Sequence, residues 1–347
     1  MRKTALSLLA LLILSLAACS GEEEQASQDN ASHGQAVTEK NENPDVSPLT
    51  GLPAEGNTEQ RAVGVMVNNH PKARPQTGLS KADIVFEMLA EGSITRFLAI
   101  YQSQQPDVVG PVRSAREYYF DLADGYDALY VYHGAANFVN DMIADEGIEH
   151  LDGALHDNDG NLFKRSSDRS APHNSYLQFA SVNDMAEQKG YNVTQSYQPL
   201  PFADEDEAAA ASGDEAASVT IDYSGGMKNV VTYSYDEGNA VYNRYSNGNQ
   251  SIEKDADEPV TADNLFIIET PHEIIDDAGR REIDITSGGD AYLVQKGHIR
   301  KVQWENRDGR IIPVKNGDPV PFVPGKTWIN VVPADPGMAQ SVTVSNE

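Results

Sequence analysis

The sequence has little of three things: cysteine, basic side chains and long apolar runs. Its 347 residues include a single cysteine, Cys19, so the chain cannot form an internal disulfide. It carries 26 Lys and Arg against 53 Asp and Glu, a net charge of −27, which makes nucleic acid a poor partner for the bulk surface. The apolar run at residues 5–16 is shorter than the roughly 20 residues that a membrane-spanning helix needs. The fold must therefore rest on its own core, and the chain is long enough for two domains.

The first 19 residues have the order of a secretion signal. Arg2 and Lys3 precede the apolar run, which ends in Leu-Ala-Ala-Cys at Cys19. This order predicts a signal peptide with a lipobox, whose cysteine receives diacylglycerol and becomes the new N-terminus. The alternative is an ordinary signal peptide with a cysteine placed there by chance. We expect a lipoprotein that is held by palmitate-type acyl chains on the extracytoplasmic face of the cell membrane.

Composition divides the rest of the chain into four segments. Residues 20–47 are almost entirely polar and predict a disordered tether. Residues 48–200 alternate strand-like and helical patterns, which predicts an N-terminal α/β domain. Residues 201–218 are acidic and of low complexity, which is typical of a linker. Residues 219–347 contain short apolar runs between Gly, Asn and Asp turns, which predicts a smaller, mostly-β domain.

These patterns predict an α+β fold with a mixed sheet in its N-terminal part. Strands are expected in that part at 62–67, 97–101 and 129–132. Helices are expected at 81–91, 116–122, 138–146 and 176–190. Strands in the second domain are expected at 219–223, 230–235, 240–245, 265–268, 291–294, 299–304 and 328–332.

Familiar envelope enzymes leave no complete motif in this sequence. Cysteine transpeptidases need a free thiolate, and Cys19 is used by the predicted anchor. The Ser-x-x-Lys spacing at Ser251 lacks the companion motifs of penicillin-binding proteins. His272 and Glu273 are not followed by the second histidine of a zinc protease, and the Gly-Lys-Thr at 325–327 lacks the first glycine of a phosphate loop. We expect no cofactor, and binding rather than turnover.

One segment partly matches a calcium loop. Positions 1, 3, 5 and 12 of the template fall on Asp157, Asp159, Asn161 and Asp168. Leu162 stands where the template has glycine, and two basic residues interrupt the loop. A solvated turn without metal is the alternative, and we expect no metal.

The candidate ligand-binding residues lie in loops of the N-terminal part, several of them arginines. Guanidinium forks bind carboxylate, phosphate or sulfate groups, and loops at strand ends are common ligand sites. The candidate residues are Asn69, Arg74, Gln76, Arg96, Arg113, Ser114, Arg116, His133 and His173.

Alternatives to such a ligand site remain open. The arginines can instead form structural ion pairs with Asp83, Glu87, Glu91 and Glu117. A hydrolase or transferase that uses Ser114, His133 and His173 is a second alternative. A structural spacer without a pocket is a third.

The order of several motifs resembles the YerB-type lipoprotein family of monoderm bacteria. The motifs that carry the resemblance are the lipobox and residues 48–53, 65–69, 73–79, 82–87, 95–97, 110–116 and 325–329. The resemblance implies a larger N-terminal and a smaller C-terminal domain, and it brings no catalytic residues with it. Together with the arginine loops, it leads us to expect an accessory protein that binds a wall-derived or anionic ligand, or a wall-synthesis protein.

Overall fold

The computed structural model describes residues 46–209 and 212–346. The predicted lipobox with Cys19, and nearly all of the predicted tether, lie outside these described residues. None of the described helices is both long enough and apolar enough to cross a bilayer.

The first part of the chain is built mainly of strands. Its strands are β1 (Val63–Asn68), β2 (Ile84–Glu91), β3 (Ile94–Tyr101), β4 (Val108–Val109), β5 (Leu129–Tyr132), β6 (His150–Asp152), β7 (Phe163–Arg165) and β8 (Ser175–Gln178). Its helices are α1 (Glu117–Gly125), α2 (Asn137–Asp145) and α3 (Val182–Gln188), with short 3₁₀ turns at Pro71–Ala73, Leu79–Lys81 and Phe179–Ser181.

The second part is almost entirely β. It begins with helix α4 (Glu205–Ala209) and ends with helix α5 (Met338–Ser341) before its last strand. Its strands are β9 (Asp214–Glu215), β10 (Ser218–Asp222), β11 (Val230–Asp236), β12 (Val241–Ser246), β13 (Asn249–Gln250), β14 (Thr261–Ala262), β15 (Asn264–Thr270), β16 (His272–Ile274), β17 (Arg281–Ile283), β18 (Gly289–Gln295), β19 (His298–Arg307), β20 (Arg310–Lys315), β21 (Asp318–Pro319), β22 (Thr327–Pro333) and β23 (Val342–Ser345).

A mixed sheet of 12 strands runs through both parts. Its order is β21-β20-β19-β18-β15-β22-β2-β3-β1-β5-β6, with β9 attached to β19. The two parts join where β2 pairs in parallel with β22. A second, antiparallel sheet has the order β13-β12-β11-β10-β23, with β14 beside β12. Smaller sheets join β16 to β17 and β4 to β8 to β7.

The large sheet is buried on both faces. Phe86 of β2 faces one core together with Phe120 of α1, and Val85 faces the other together with Ile221 of β10. Helices α1 and α2 therefore cover one face of this sheet, and the antiparallel sheet, together with α3 and α5, covers the other. A strand covered on both sides needs apolar residues at nearly every position.

This double burial explains why the predicted helix at 81–91 is wrong. The segment forms strand β2, and seven of its eight residues are buried. A continuous apolar run fits a helix and a fully buried strand equally well from its pattern alone. The predicted helix at 176–190 is also too long, because β8 and a 3₁₀ turn occupy its first part.

The other predicted helices and strands are present, whereas the sequence patterns did not predict β6, β7, β16, β17 and β20. The α+β class, with a mixed sheet first and mostly antiparallel strands later, is confirmed, as are the strands expected at 62–67, 97–101 and 129–132 and all seven expected beyond residue 218. The predicted domain boundaries stay a prediction. Of the segment expected to be a linker, the structure describes α4 and the short strand β9.

Candidate functional site

The candidate loops meet at one edge of the large sheet. Strands β1, β5 and β6 run parallel, so their carboxyl ends lie at the same edge. The segment at 113–115 passes between the ends of β1 and β5. Arg113 donates its N–H to the carbonyl of Met66 (2.9 Å) and accepts the N–H of His133 (2.9 Å). The loop after β1, which contains Asn69, Arg74 and Gln76, starts beside it.

Arg96 and Arg116 share one carboxylate. Arg96 donates to both oxygens of Glu91, at 2.9 and 2.7 Å, and Arg116 forms an ion pair with the same group. Arg96 also donates to the carbonyl of Ser114 at 2.8 Å. Both arginines are buried, and burial lowers the pKa of each. This geometry supports the ion-pair alternative for these two residues.

Arg74 has no such partner. Its Nε donates to the carbonyl oxygen of Asn69 (3.1 Å) and to its Oδ1 (3.0 Å). Within the described residues, no carboxylate lies within ion-pair distance of Arg74, and its two terminal nitrogens make no hydrogen bond. Burial, followed by the charge of Arg244, lowers the pKa of Arg74 to about 10, so the guanidinium stays protonated at neutral pH.

The loop that carries Arg74 is fixed by a second arginine. Arg169 donates to the carbonyls of Ala73 (2.8 Å) and Pro75 (2.6 Å), and also to the hydroxyl of Tyr176 (2.8 Å). Two of these bonds use carbonyls of the loop, the third connects Arg169 to β8, and none of them involves the Arg74 side chain. Arg169 therefore positions the loop.

Two cavities share Arg74 as a wall. One has a volume of about 310 Å³ and the other about 220 Å³, and Pro71, Arg74 and Asn247 line both. We call the pair the Arg74 groove. Its other walls come from the loops after β1 and β2, from the turn after β12, and from Lys228 with Asn229. The described lining residues include amides and hydroxyls but no Asp or Glu.

A buried polar network connects the two walls of the groove. Asn69 donates to Glu87 at 3.1 Å, and Glu87 accepts from Arg244 at 2.8 Å. Arg244 in turn donates to the hydroxyls of Ser246 (2.9 Å) and Ser251 (2.8 Å), which line the larger cavity. Glu87 is 0% exposed and Arg244 is 2% exposed. The network fixes Arg74 on one wall and the two serines on the other.

Two predicted residues belong to this network, and one important residue was missed. Asn69 accepts from Gln76 Nε2 (3.2 Å) as well as from Arg74, so both amide side chains form hydrogen bonds within the wall of the groove that carries Arg74. Arg244 was not among the residues predicted from the sequence. No local signal identified it, because the opposite phase of β12 carries Val241 and Tyr245, and only the fold shows that Arg244 lies on the buried side, where a charge requires a partner.

His173 lies beside another histidine that was not among the predicted residues. The rings of His70 and His173 stack with centroids 4.6 Å apart. Arg113 is half-buried, and among the described residues its side chain donates only to the carbonyl of Pro172, at 3.5 Å. No carboxylate within the described ranges lies within ion-pair distance of Arg113, and burial, followed by the charge of Arg96, lowers its pKa to about 10.

His133 pairs with Ser175 rather than with Ser114. Its Nδ1 lies 2.8 Å from the Ser175 hydroxyl, and its Nε2 lies 3.4 Å from Arg165 Nη2. Because a guanidinium can only donate, Nε2 accepts, and the neutral ring then donates from Nδ1 to Ser175. Because His133 donates to the Ser175 hydroxyl and does not accept its proton, this hydrogen bond does not activate Ser175 as a nucleophile. Within residues 46–209 and 212–346, the Ser114 hydroxyl makes no hydrogen bond to His133 or His173.

The residues of the calcium template are engaged with protein groups. Asp157 accepts from Arg165 at 2.7 Å, and Asp168 accepts from Lys254 at 2.8 Å. Asp159 accepts three backbone N–H groups of its own turn, from residues 161, 162 and 163. Asn161 accepts from the Ser181 hydroxyl at 3.1 Å. The described part of the chain holds no group of three or more His, Cys, Asp or Glu side chains arranged to bind a metal.

The chain belongs to the family described as "Protein of unknown function (DUF3048)". The N-terminal domain of this family matches residues 49–192, and its C-terminal domain matches residues 219–329. The chain is 48% identical over 289 residues to "Putative lipoprotein YerB" of Bacillus subtilis (strain 168), which covers 83% of this chain and 86% of that protein. The crystal structure of Bacillus subtilis YerB superposes with a TM-score of 0.79 at 45% identity and covers 86% of this chain and 99% of that one. The resemblance inferred from the sequence motifs is confirmed.

Proposed function

We propose that this protein is an extracytoplasmic lipoprotein that binds an anionic ligand of the cell envelope in the Arg74 groove. The anchor would be a diacylglyceryl group on Cys19, as the lipobox predicts and as the name of the Bacillus subtilis relative suggests. The observation that supports the binding role is the guanidinium of Arg74, which has no ion-pair partner among the described residues and lies in a groove whose described lining has no carboxylate. No catalytic step is part of the proposal.

Charge makes this groove unusual for the chain. The whole sequence has a net charge of −27, yet the described lining of the groove contains Arg74 and Lys228 with no acid to offset them. A cation that is partly removed from water is stabilised by an anion, and a guanidinium offers two parallel donors to a phosphate or carboxylate. Each charge-assisted hydrogen bond contributes about 1.5–3 kcal/mol.

The rest of the lining supports a polyol or saccharide portion in the same ligand. Asn247, Asn249 and Gln250 supply amides, while Ser246 and Ser251 supply hydroxyls. Amides and hydroxyls both donate and accept, which matches the hydroxyl groups of such a molecule. Pro71 and Pro75 give the cavity a small apolar surface against which a carbon skeleton can lie.

The binding proposal is tested by calorimetric titration of the full chain with oligo(glycerol phosphate) and with soluble muropeptides. Arg74→Ala should weaken binding of the anionic probe at least tenfold, because the charge-assisted bonds are lost. Arg307→Ala is the matched control, since this arginine is partly exposed and bonds to Glu305 (2.9 Å), away from the groove. Equal affinities for Arg74→Ala and the wild type would refute the proposal.

The anchor is tested separately in cells. Cys19→Ala should abolish incorporation of a labelled fatty acid and release the protein from the membrane fraction. A protease added outside intact spheroplasts should degrade the wild type, because we place it on the extracytoplasmic face. Continued membrane association of an unacylated Cys19→Ala protein would contradict this part of the proposal.

A further inference from the structure

Two histidines next to the Arg74 groove have their Nδ1 atoms occupied by donors. The backbone N–H of Lys72 donates to His70 Nδ1 at 3.1 Å. Asn68 Oδ1 accepts the N–H of His70 at 2.9 Å, so the other end of this amide, Nδ2, donates to His173 Nδ1 at 2.9 Å. Each neutral ring therefore carries its proton on Nε2, and within the described residues neither Nε2 has a hydrogen-bond partner.

The charges around these rings are of one sign. After burial, Lys72, Arg113 and Arg74 lower the pKa of His70. Burial is also the largest cause that lowers the pKa of His173, followed by His70 and then Arg113, Lys72 and Arg169. Arg113 has no carboxylate partner among the described residues, and Lys72 is exposed. The cluster thus gathers cations and free N–H donors with no anion to balance them.

This cluster is continuous with the groove. His70 lines the smaller cavity together with Arg74, and His173 stacks on His70 on the other side. His173 and Arg113 lie beyond this cavity, next to His70, so a ligand that extends past His70 would reach them. Arg74 and Arg113, which have no carboxylate partner among the described residues, are therefore connected by the N–H donors of the two histidines.

We propose that Arg113, His70 and His173 form a second anion subsite of the Arg74 groove, and that the ligand is a phosphodiester-linked polyol chain that places one phosphate in each subsite. This inference rests on the proposed function, because Arg74 supplies the first subsite. A phosphodiester has two free oxygens, which match the two terminal nitrogens of a guanidinium. The polyol units between phosphates match the amides and hydroxyls of the lining.

Acidity should strengthen binding at the second subsite. A proton taken up by either ring goes to Nδ1, where it displaces the donor that is now bonded there. An anion beside the rings offsets this cost by stabilising the protonated form, and so raises the pKa of both histidines relative to the free protein. By linkage, affinity increases as the pH falls through the range in which the bound protein takes up this proton. The phosphodiester itself keeps its charge over this range, so any change belongs to the protein.

The experiment compares two probes on the full chain by calorimetry. One is glycerophosphoglycerol, which has a single phosphodiester, and the other is a glycerol phosphate trimer joined by phosphodiesters. The wild type should bind the trimer at least tenfold more tightly than the single diester, and more tightly still at pH 5.5 than at pH 7.5. Arg113→Ala should remove most of the trimer's advantage, and the double variant His70→Gln/His173→Gln should remove the pH dependence.

The outcomes separate this inference from the proposed function. If Arg74→Ala weakens both probes while Arg113→Ala and the histidine variant behave like the wild type, the second subsite is refuted and the groove stands. If Arg74→Ala changes neither probe, both proposals fail. Arg113→Lys, which keeps the charge, should retain part of the trimer's advantage, and equal losses with Ala and Lys in a stably folded protein would indicate a structural role and overturn the inference. Arg307→Ala serves again as the control.

Discussion

Two cavities of this protein are lined by residues of opposite charge. The Arg74 groove is lined by cations, amides and hydroxyls, with no carboxylate among its described residues. A cavity of about 560 Å³ between α1 and β17 has five acidic lining residues, Glu117, Asp121, Glu273, Glu282 and Asp284. Both are open to ligands, but only the groove departs from the charge of the chain as a whole. A feature that opposes the general composition is better evidence for a binding site than one that follows it.

The two cavities also differ in how their charges are held. Burial, followed by the charges of Glu146, Glu117 and Asp124, raises the pKa of Asp121 to about 7. Protonation of Asp121 therefore reduces the repulsion among the carboxylates of the acidic cavity. In the groove Arg74 stays protonated at neutral pH, and buried Glu87, whose charge favours this form, is already paired with Arg244. The acidic cavity thus changes its charge with pH, whereas the groove keeps the positive charge of Arg74 and rests on the buried Glu87–Arg244 pair.

The largest effect should come from breaking that pair. Arg244→Ala leaves Glu87 as an unpaired buried charge and removes the donor of Ser246 and Ser251, so we expect a loss of about 3–5 kcal/mol in the free energy of unfolding. Urea denaturation measures it against Arg307→Ala. The double variant Glu87→Gln/Arg244→Met should lose less than Arg244→Ala alone. A loss below about 1 kcal/mol for Arg244→Ala would show that the pair does not support the groove.

The next largest effect is expected on anion affinity when a carboxylate is introduced into the Arg74 groove. Asn247 lines both of its cavities and is exposed, so Asn247→Asp adds a negative charge with little change of shape. We expect anion affinity to fall about tenfold, which corresponds to about 1.4 kcal/mol. Asn316→Asp is a matched control, because Asn316 is also exposed and also has a positive φ, 57° against 49° for Asn247. Equal calorimetric affinities for the two variants would contradict the electrostatic account of the groove.

One wall of the groove was predictable from the sequence, and the other was not. The loops after β1 and before α1 follow strand-like runs, and their arginines and amides identified them as candidates. The second wall, at 246–252, comes into place only because the antiparallel sheet covers the large one. Glu87 and Arg244 are 157 positions apart in the chain, and no local pattern predicts that they meet.

The local sequence pattern also did not distinguish arginines that pair with a carboxylate from arginines that do not. Arg74, Arg96, Arg113 and Arg116 all lie near strand ends, but two of them share Glu91 and two have no carboxylate among the described residues. The difference depends on side-chain directions that only the folded sheet fixes. The same limit applies to β2, whose apolar run fits a helix until both of its faces are seen to be buried.

A smaller effect should follow from neutralising the acidic cavity. The folded-state pKa of Asp121, about 7, lies above its ordinary value of 3.8, so its ionised form destabilises the fold, and stability increases as the pH falls through 7. Asp121→Asn should therefore raise the free energy of unfolding at pH 8 by about 1 kcal/mol after solvent screening. The gain should shrink as the pH falls from 7 toward 4. Urea denaturation across this range tests it, with exposed Asp318→Asn as the control, and a gain that is constant with pH would contradict the assignment.

The smallest effect is expected where acidic residues already have partners. Asp157 bonds to Arg165, Asp168 bonds to Lys254, and Asp159 accepts backbone N–H groups, so calcium would have to displace two cations and a turn before it could bind. We expect millimolar calcium to leave the melting temperature unchanged within error, with magnesium as the control for general ionic effects. A saturable increase that Asp159→Ala removes would instead establish a calcium site. It would also show that the loop rearranges, because the cations that now hold Asp157 and Asp168 lie where the metal would bind.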